Sequence, residues 1–588
     1  MLAIIPLDTP NARPMIIARD GEFDRREDIR TINWSWADPD NLLIWLASRQ
    51  DFQGQPVDVV RVVGFNRQTR SLTPLGWDGA FLSAGRVIWT SRSGPPRILL
   101  ERYAMERGER TFNPEVVEVD VTTGRHRVVQ PPQRLVSGWS ADGEGNIRLG
   151  TSFDRTTGRV TALYRSGGTG AFRTIIRQRT ERYAEPPLPQ IFLPGDRALA
   201  LSRHSGFNAL YELDLETMEF GRMVHSVEGY DLEGVLTNPN GDALDGVVEL
   251  RHRPVRHWFD TRLREIQSVL DEAFGAGNAT ITSADRAREN IVVRVAAPSQ
   301  PGGFYLYRTQ TGDVRHIGWV NTEIRDTSLN PVSTIRYRAS DGQTIEAVLT
   351  LPRLREARNL PLIVLPHGGP WARDYETWDI WAQPLAEMGY AVIQPNFRGS
   401  SGYGQEWEAA SDGNWGMRMQ DDLNDAVNHL AAEGIADPGR VCMFGWSYGG
   451  YAASRAAQRD GDRYRCTISG AGVHDLPDMV AYDRNYLGRY GSQYIGSAAT
   501  RLSDISPARN AGQFSAPILI VHGARDQRVP VAQSRGLVRR LRAAGKVEGR
   551  DFVYIEQPRN THNLPLEADR LQLLEEARRF LMQHNPPD

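Results

Sequence analysis

The 588-residue sequence has only two cysteines, almost no lysine and no long hydrophobic run. Cys442 and Cys466 lack the spacing of metal ligands, and we expect them to be buried, reduced thiols on neighbouring strands. No apolar stretch approaches the roughly 18 residues that a membrane-spanning helix needs. Lys546 is the only lysine, and the other 68 basic residues are scattered arginines, which indicates a compositional bias rather than a charged patch.

The charge balance is close to neutral, with a formal net charge of −3 and an isoelectric point of about 6.5. Nothing in it would attract nucleic acid or an anionic membrane, so we expect neither as a partner. The first six residues, Met-Leu-Ala-Ile-Ile-Pro, have no basic residue and too short an apolar stretch for a signal peptide. We therefore expect a cytoplasmic protein, or a periplasmic one if a leader has been removed.

The most informative stretch is Gly-Trp-Ser-Tyr-Gly at residues 445–449. It follows the apolar run 441–444 and precedes a helix-compatible stretch from Tyr451. A strand, a sharp turn and a helix form the context in which such a serine stands above a sheet as a nucleophile. We predict that Ser447 is this nucleophile, and an ordinary glycine-rich turn is the alternative.

A serine hydroxyl needs a base to take its proton, and in α/β-hydrolases the acid and then the histidine follow the serine along the chain. Asp526 comes just after the buried strand 517–523, at the edge where open α/β sheets place their working residues. His562 lies between the next strand, 552–556, and the last predicted helix, 567–582. We predict that His562 is the general base and acid and that Asp526 orients its imidazole.

Three other histidines follow the serine. His474 precedes the acid, His522 lies inside a strand and is interpreted as structural, and His584 is in the terminal tail. His562 is favoured because it alone follows the last strand and precedes the last helix. A surface role for His562 and a plain turn role for Asp526 are the alternatives.

An oxyanion hole requires two backbone N–H donors aimed at the developing charge. One is expected from Tyr448, the residue after the nucleophile. The other is expected from the loop His-Gly-Gly-Pro at residues 367–370, which follows the apolar strand 362–366. Gly369 is assigned as this donor, with Gly368 as the nearby alternative, because glycine lets a carbonyl oxygen approach the backbone.

Four motifs, in this order, resemble the prolyl oligopeptidase family of serine peptidases, nearest to the acylaminoacyl peptidases and their bacterial relatives. They are His-Gly-Gly-Pro-Trp at 367–371, Pro-Asn-Phe-Arg-Gly-Ser-Ser-Gly-Tyr-Gly at 395–404, the serine motif at 445–450, and His522-Gly523 followed by Asp526-Gln-Arg-Val-Pro530. The resemblance covers the chain from about Leu362 onward. One departure is Asn-Thr-His-Asn at 560–563, where many members carry glycine or an acidic residue beside the histidine.

The resemblance implies an α/β-hydrolase domain capped by a β-propeller, and a serine peptidase that acts on short peptides without a metal or cofactor. Arg528 matches a position at which relatives hold an arginine near the substrate, where a guanidinium can donate to a peptide carbonyl. A structural ion pair is the alternative for Arg528. Dipeptidyl peptidases of the wider family hold the substrate amine with paired glutamates, and no Glu-Glu pair occurs before Arg325.

Residues before about Arg325 contain repeated units of strand, polar turn and strand, which favours a propeller independently. The units start near Val59, Val116, Ala162, Leu210 and Leu306. The intervals are 57, 46, 48 and 96 residues, so one further copy is expected between Gly229 and Asn290. A period in the forties is typical of a propeller blade. The count predicts six blades, and the stretch 32–48 could build or close a seventh.

We therefore divide the chain into a β-propeller at residues 1–325 and an α/β-hydrolase domain at residues 326–588. The polar segment 321–331 is the predicted hinge, and the propeller is expected to gate access to the site. Apolar residues recur at helical spacing from Trp258 to Phe274 and predict a helix inserted in the propeller. A membrane or partner helix is the alternative for this stretch.

Three functions remain open at this point. The first is a peptidase that releases acylated or free N-terminal residues or cuts short oligopeptides. The second is an esterase-type hydrolase with the same triad, and the third is a propeller binding protein with a decayed hydrolase domain. The complete triad argues against the third. Formation of a homo-oligomer is left open.

Overall fold

The structure is a computed structural model. It describes residues 2–7, 12–18, 29–52, 55–81, 83–106, 109–110, 113–154, 157–180, 188–325, 327, 329–487, 495 and 501–587. Contacts divide the chain into two compact units. The first unit consists of Met1–Ser202, Leu210–His225 and Val235–Gly246. The second consists of Arg203–Ala209, Ser226–Gly234 and Val247–Asp588.

Six small antiparallel sheets follow one another between Arg30 and Trp319 in the described part of the chain. A hairpin of β1 (Leu2–Ile4) and β2 (Met15–Ala18) precedes them. The first sheet contains β3 (Arg30–Trp36), β4 (Asn41–Phe52), β5 (Gln55–Asn66) and β6 (Ser71–Leu75). The second contains β7 (Arg86–Thr90), β8 (Arg97–Arg102), β11 (Glu115–Asp120) and β12 (His126–Gln130), with the small ladder β9 (Met105–Glu106) and β10 (Glu109–Arg110) between β8 and β11.

The other four sheets have the same meander order. The third contains β13 (Gly138–Ala141), β14 (Ile147–Asp154), β15 (Arg159–Tyr164) and β16 (Arg173–Arg179), and a 3-10 helix, Ser166–Gly168, precedes β16. The fourth contains β17 (Pro189–Leu193), β18 (Arg197–Ser202), β19 (Ala209–Asp214) and β20 (Phe220–His225). The fifth contains β21 (Leu232–Thr237), β22 (Leu244–Leu250) and β23 (Pro254–Trp258). The sixth contains β24 (Ala279–Ala284), β25 (Asn290–Ala297), β26 (Gln300–Arg308) and β27 (Val314–Trp319).

These sheets form a six-bladed β-propeller arrangement, and they explain the repeat seen in the sequence. Each of the five repeat copies starts within the third strand of its sheet. These strands are β5, β11, β15, β19 and β26. The copy expected between Gly229 and Asn290 is the fifth sheet. The stretch 32–48 is not part of a seventh blade, because it provides β3 and β4 of the first blade.

The predicted inserted helix is present as α1 (Thr261–Phe274), between the fifth and sixth blades. Asp260 caps it, since its side chain accepts the Leu263 N–H at 2.8 Å. Leu263, Ile266 and Leu270 are buried, as an amphipathic helix packed on one face requires. Val269 is exposed, and Trp258 ends the preceding strand instead of starting the helix.

The C-terminal part is built on one eight-stranded sheet, in the order β28-β29-β31-β30-β32-β33-β34-β35. Its strands are β28 (Val332–Arg338), β29 (Thr344–Thr350), β30 (Leu360–Val364), β31 (Ala391–Pro395), β32 (Ala436–Trp446), β33 (Cys466–Gly470), β34 (Ile518–Gly523) and β35 (Phe552–Gln557). The helices are α2 (Ala382–Glu387), α3 (Gln405–Ala409), α4 (Arg418–Ala432), α5 (Tyr448–Arg459), α6 (Leu476–Leu487), α7 (Ala532–Ala543), α8 (Glu567–His584) and a 3-10 helix, Pro507–Gln513. Strands β28 and β29 pair antiparallel, and β30 to β35 pair parallel.

The sheet is buried on both faces, which is why its central strands are continuous apolar runs. Successive residues of one strand enter opposite cores: Leu362 and Val364 pack on one side, and Ile363 packs on the other. The predicted strands around residues 362–366, 441–444, 517–523 and 552–556 are confirmed as β30, β32, β34 and β35. The parallel pairing brings the C-terminal ends of these strands to one edge.

The prediction for the two cysteines is wrong in one respect. Cys442 and Cys466 are fully buried, as expected, but they form a disulfide in the structure. The register explains the bond, because the parallel pairing of β32 with β33 sets the two residues side by side with their Cα atoms 4.8 Å apart. The sequence reading placed the cysteines on neighbouring strands but did not include this register.

Two other expectations concern membrane-spanning helices and the division of the chain. None of the helices among the described residues is long and apolar enough to cross a membrane. The boundary between residues 325 and 326 stays a prediction; β27 ends at Trp319 and β28 begins at Val332. Of the predicted hinge segment 321–331, residues 326 and 328 lie outside the described residues.

The disulfide leads to a direct test. Titration of the unfolded chain without reductant is expected to find no free thiol. Reduction should lower the free energy of unfolding by about 3 kcal/mol, because the bond closes a loop between residues 24 apart. A Cys442→Ala/Cys466→Ala double variant is the control, since reductant should not change its thermal unfolding. Two reactive thiols per chain without reductant would contradict the bond.

Candidate active site

The turn between β32 and α5 holds Ser447 in a backbone conformation that is rare for a residue with a side chain. Its φ is 62° and its ψ is −117°. The turn is tight because its neighbours have no Cβ: one on Gly445 would lie 2.3 Å from the Gly449 carbonyl, and one on Gly449 would lie 2.2 Å from the Pro366 oxygen. The predicted sequence of strand, sharp turn and helix is therefore present, with the serine at its apex.

Ser447, His562 and Asp526 are brought together by a continuous pair of hydrogen bonds. His562 Nε2 lies 3.0 Å from Ser447 Oγ, and His562 Nδ1 lies 2.7 Å from Asp526 Oδ2. A carboxylate can only accept, so Nδ1 carries the proton and the Nε2 lone pair faces the serine hydroxyl. This is the tautomer that a general base requires.

The Asp526 carboxylate is buried and held in its ionised form. The Arg528 and Val529 backbone N–H groups donate to Oδ1 at 2.9 Å each. Burial by itself would raise the pKa of Asp526, but hydrogen bonds from His522 and His562 outweigh it and lower the pKa to about 2. Because this pKa lies below the unfolded value of about 3.9, the ionised group stabilises the fold fully above about pH 4. That stability is lost as the pH falls toward 2.

The loop that carries His562 is fixed to the nucleophile turn by a tryptophan. The Trp446 indole N–H donates to the His562 carbonyl oxygen at 2.9 Å. Asn560, two residues before the histidine, is fully buried, and its carbonyl oxygen accepts the Arg525 N–H at 3.0 Å. This backbone bond ties the His562 loop to the loop carrying Asp526.

The predicted oxyanion loop lies against the nucleophile turn. A Cβ on Gly368 would lie 3.3 Å from Ser447 Cβ and 3.2 Å from the Trp446 oxygen. Gly369 has a φ of 116°, in the region that favours glycine, and a cis peptide bond joins it to Pro370. Tyr448 is the first residue of α5, where backbone N–H groups have no partner within the helix. The roles of Gly369 and Tyr448 as donors stay predictions.

Stacked aromatic rings connect the two loops that carry these donors. The His367 ring stacks on Phe397 at 4.5 Å, and Phe397 stacks on Tyr448 at 5.3 Å. His367 Nε2 lies 2.8 Å from Ser400 Oγ, and Nδ1 lies 2.8 Å from the Gly368 oxygen. Burial lowers the pKa of His367 to about 4, so the ring is neutral near pH 7. Phe397 belongs to the motif at 395–404, but sequence reasoning assigned it no role.

Arg528 forms an ion pair, as the alternative reading of this residue anticipated. Its Nη1 lies 2.9 Å from Asp483 Oδ1, on α6. The Asp483 side chain is 1% exposed, and that of Arg528 is 41% exposed. Burial raises the pKa of Asp483, and the nearby guanidinium offsets part of that effect. A role in substrate binding stays a prediction for Arg528.

Comparison with known sequences links this arrangement to a family. Residues 377–585 match the sequence pattern of the prolyl oligopeptidase family, a range that includes Ser447, Asp526 and His562. Dipeptidyl aminopeptidase BIII of Pseudoxanthomonas mexicana is 26% identical over 92% of this chain and 78% of its own length. The acylamino-acid-releasing enzyme of Sus scrofa is 28% identical over 71% of this chain and 60% of its own length, so the match leaves out part of that enzyme.

Solved structures share the fold along nearly the whole chain. A puromycin-hydrolyzing peptidase of Mycobacterium tuberculosis superposes with a TM-score of 0.70 at 17% identity, covering 95% of this chain and 94% of the other. The acylaminoacyl peptidase of Pyrococcus horikoshii superposes with a TM-score of 0.64 at 16% identity, covering 93% and 95%. At these identities the likeness concerns the architecture of propeller and hydrolase.

The crowding at the nucleophile turn can be tested with two helical glycines. Gly449→Ala should destabilise the protein by about 1–3 kcal/mol and lower its hydrolytic activity, because the new methyl group meets the Pro366 oxygen. Gly536→Ala, in α7, is the matched control: no atom lies within 4 Å of the added Cβ. It should leave activity unchanged and keep or raise the unfolding temperature. Equal behaviour of the two variants would contradict the role of crowding.

Proposed function

The chain belongs to the prolyl oligopeptidase family of serine peptidases, and on this premise we propose that Ser447, His562 and Asp526 form its catalytic triad. The observation that carries the proposal is the relay of two hydrogen bonds, 3.0 Å from hydroxyl to imidazole and 2.7 Å from imidazole to carboxylate. An esterase would use the same relay. The membership in a peptidase family favours peptides as the substrates.

In the proposed mechanism, Ser447 Oγ attacks the carbonyl carbon of the scissile bond while His562 Nε2 takes the hydroxyl proton. The carbonyl oxygen, on which negative charge forms, accepts hydrogen bonds from the N–H groups of Tyr448 and Gly369. The C–N bond then breaks, and His562 Nε2 gives its proton to the leaving amine. This leaves an acyl-enzyme on Ser447, and Asp526 stays ionised throughout.

Water completes the cycle by hydrolysing the acyl-enzyme, with water as the nucleophile and Ser447 Oγ as the leaving group. His562 Nε2 takes a proton from a water molecule, whose oxygen attacks the acyl carbon. The bond to Ser447 Oγ breaks, and the serine oxygen regains a proton from His562. The products are a carboxylic acid and the amine released earlier, so the reaction requires no metal ion and no organic cofactor.

For the substrate we propose short peptides, cut in the manner of an acylaminoacyl peptidase or an oligopeptidase. The names of the pig enzyme and of the Pyrococcus structure support the first, and the name of the Pseudoxanthomonas relative supports a dipeptidyl peptidase as the alternative. The chain has no adjacent pair of glutamates before Arg325 to hold a free amine, which weighs against the dipeptidyl reading. Exclusion of folded proteins by the propeller stays a prediction.

Arg528 is proposed to assist in binding the acyl side of the peptide. Its Nη1 is engaged by Asp483, which fixes the guanidinium beside the turn that carries Asp526. The side chain is still 41% exposed, so it can also meet a ligand. A guanidinium presents five N–H donors, more than one carboxylate uses.

The buried disulfide bears on the compartment. Disulfides persist where the surroundings are oxidising and are rare in the cytoplasm. We therefore favour the periplasm, or another oxidising compartment, over the cytoplasm expected from the sequence. Protein trapped by alkylation in its source cells should then contain no alkylated cysteine, and two alkylated cysteines would return the assignment to the cytoplasm.

The triad is tested by single substitutions. Ser447→Ala and His562→Ala should each lower kcat for a peptide anilide by about 10⁴- to 10⁶-fold, because triad members act as a unit. Circular dichroism should show both variants folded. His126→Ala, in the second blade, is the control and should keep wild-type turnover. Substantial activity in Ser447→Ala would refute the assignment.

The substrate class is tested by comparing N-acetylated and free peptide anilides with short-chain p-nitrophenyl esters. We expect the acylated peptide anilides to give the higher kcat/KM once each rate is divided by the uncatalysed rate. Arg528→Gln should raise KM for the peptides by roughly tenfold, because a guanidinium donor to a peptide carbonyl is lost. KM for the esters should change little, because a short-chain ester has no second carbonyl to accept a hydrogen bond from Arg528. Preference for the esters would support the esterase alternative, and preference for free dipeptidyl anilides the dipeptidyl one.

A further inference from the structure

We propose that His522 is a positioning residue for the catalytic carboxylate, in addition to its place in the core. This inference rests on the proposed function, since it concerns the same triad. The position of His522 inside a strand predicts a structural residue, and it is indeed fully buried in β34. The contacts of its ring nevertheless reach the Asp526 carboxylate directly.

The Nε2 atom of His522 faces two acceptors. It lies 2.9 Å from the Val529 carbonyl oxygen and 3.4 Å from Asp526 Oδ2. Neither a carbonyl nor an ionised carboxylate can donate, so Nε2 carries the proton. It donates to the nearer Val529 oxygen and keeps the N–H beside the Asp526 carboxylate. Nδ1 lies 2.7 Å from Ser534 Oγ, on α7, and therefore accepts a hydrogen bond from the Ser534 hydroxyl.

This contact completes the coordination of Asp526 by N–H groups. Oδ1 accepts the Arg528 and Val529 backbone N–H groups, and Oδ2 accepts the His562 N–H at 2.7 Å and has His522 Nε2 3.4 Å away. The two partners of Oδ1 are adjacent residues of the turn, whereas those of Oδ2 come from the His562 loop and from β34. Rotation of the carboxylate about its Cβ–Cγ bond would break these bonds, so the oxygen that faces His562 is fixed in direction.

His522 also sets the position of the loop on which Asp526 lies. Its bond to the Val529 oxygen spans the chain from the end of β34 to the far side of the turn. The ring itself is held from α7 by Ser534. A displacement of His522 would therefore move both the loop and the carboxylate, and through them the His562 imidazole.

Other charged or titratable groups near His522 do not share this geometry. Glu556 is its partner in the register with β35, and that carboxylate is engaged by Arg535 at 2.6 Å. His474 is an equally buried imidazole nearby, and its Nδ1 lies 3.1 Å from Ser454 Oγ. His474 is therefore a suitable control for the loss of a buried ring without loss of a donor to Asp526.

The test compares variants that keep or remove the donor. His522→Met fills a similar volume but has no N–H, whereas His522→Gln can place an amide N–H near the Nε2 position. His522→Met should lower kcat for a peptide anilide roughly tenfold with KM unchanged, because an N–H beside the charged carboxylate and the bond that holds its loop are both lost. His522→Gln should recover most of this loss.

The spectroscopic readout is the low-field proton resonance of the bond between His562 Nδ1 and Asp526 Oδ2. It should shift in His522→Met and return toward the wild-type position in His522→Gln. His474→Met should lower the unfolding temperature but leave both the resonance and kcat near wild type. If His522→Met does not fold, His522→Asn gives the same comparison, since its shorter amide falls short of Asp526.

Two results would overturn the proposal. One is wild-type kcat and an unmoved resonance in the variant without a donor. The other is an equal fall in kcat and an equal shift in His474→Met, which would mean that any loss of core packing disturbs the triad. Neither result would contradict the triad assignment, which is tested separately by Ser447→Ala and His562→Ala.

Discussion

The site is arranged around a buried negative charge that has no arginine or lysine in contact among the residues that the structure describes. The Asp526 side chain is fully enclosed, and its nearest partners are two backbone amides and two imidazoles. Removing a carboxylate from water is costly unless hydrogen bonds replace its solvation. The turn after β34, the ring of His522 and the loop of His562 must therefore all be in place for the charge to be tolerated. The same contacts make it an effective partner for the imidazole.

The parallel sheet is what allows residues far apart in sequence to satisfy this constraint. His562 bonds to a serine 115 positions earlier and to a carboxylate 36 positions earlier. Strands β32 and β34 end at the same edge, with β33 between them, and β35 leads into the loop of His562. Trp446 then bridges the first and last of these loops through its bond to the His562 carbonyl. The sheet sets the distances between these three side chains, and the loop contacts set the directions in which their polar atoms face.

The parts of this architecture that depend on local pattern could be predicted from the sequence. The strand, turn and helix around Ser447, the strand before Asp526 and the strand and helix around His562 follow from apolar runs and glycines. The propeller repeat was visible because each copy falls on the third strand of a blade. What could not be predicted depends on register or on side-chain contacts across the fold. The Cys442–Cys466 bond requires the alignment of β32 with β33, and the stack of Phe397 between His367 and Tyr448 requires three loops at once.

Burial and hydrogen bonding distinguish the four histidines that lie at this edge of the sheet. Burial lowers the pKa of His367 to about 4 and that of His474 to about 3, so neither ring takes up a proton near pH 7. His522 has both ring nitrogens occupied, one by Ser534 and the other by acceptors that hold its proton. His562 differs from all three, because its side chain is 18% exposed and its Nε2 faces a hydroxyl. The imidazole whose ring is partly open to solvent is thus also the one whose lone pair faces the serine, which is consistent with its proposed role as general base.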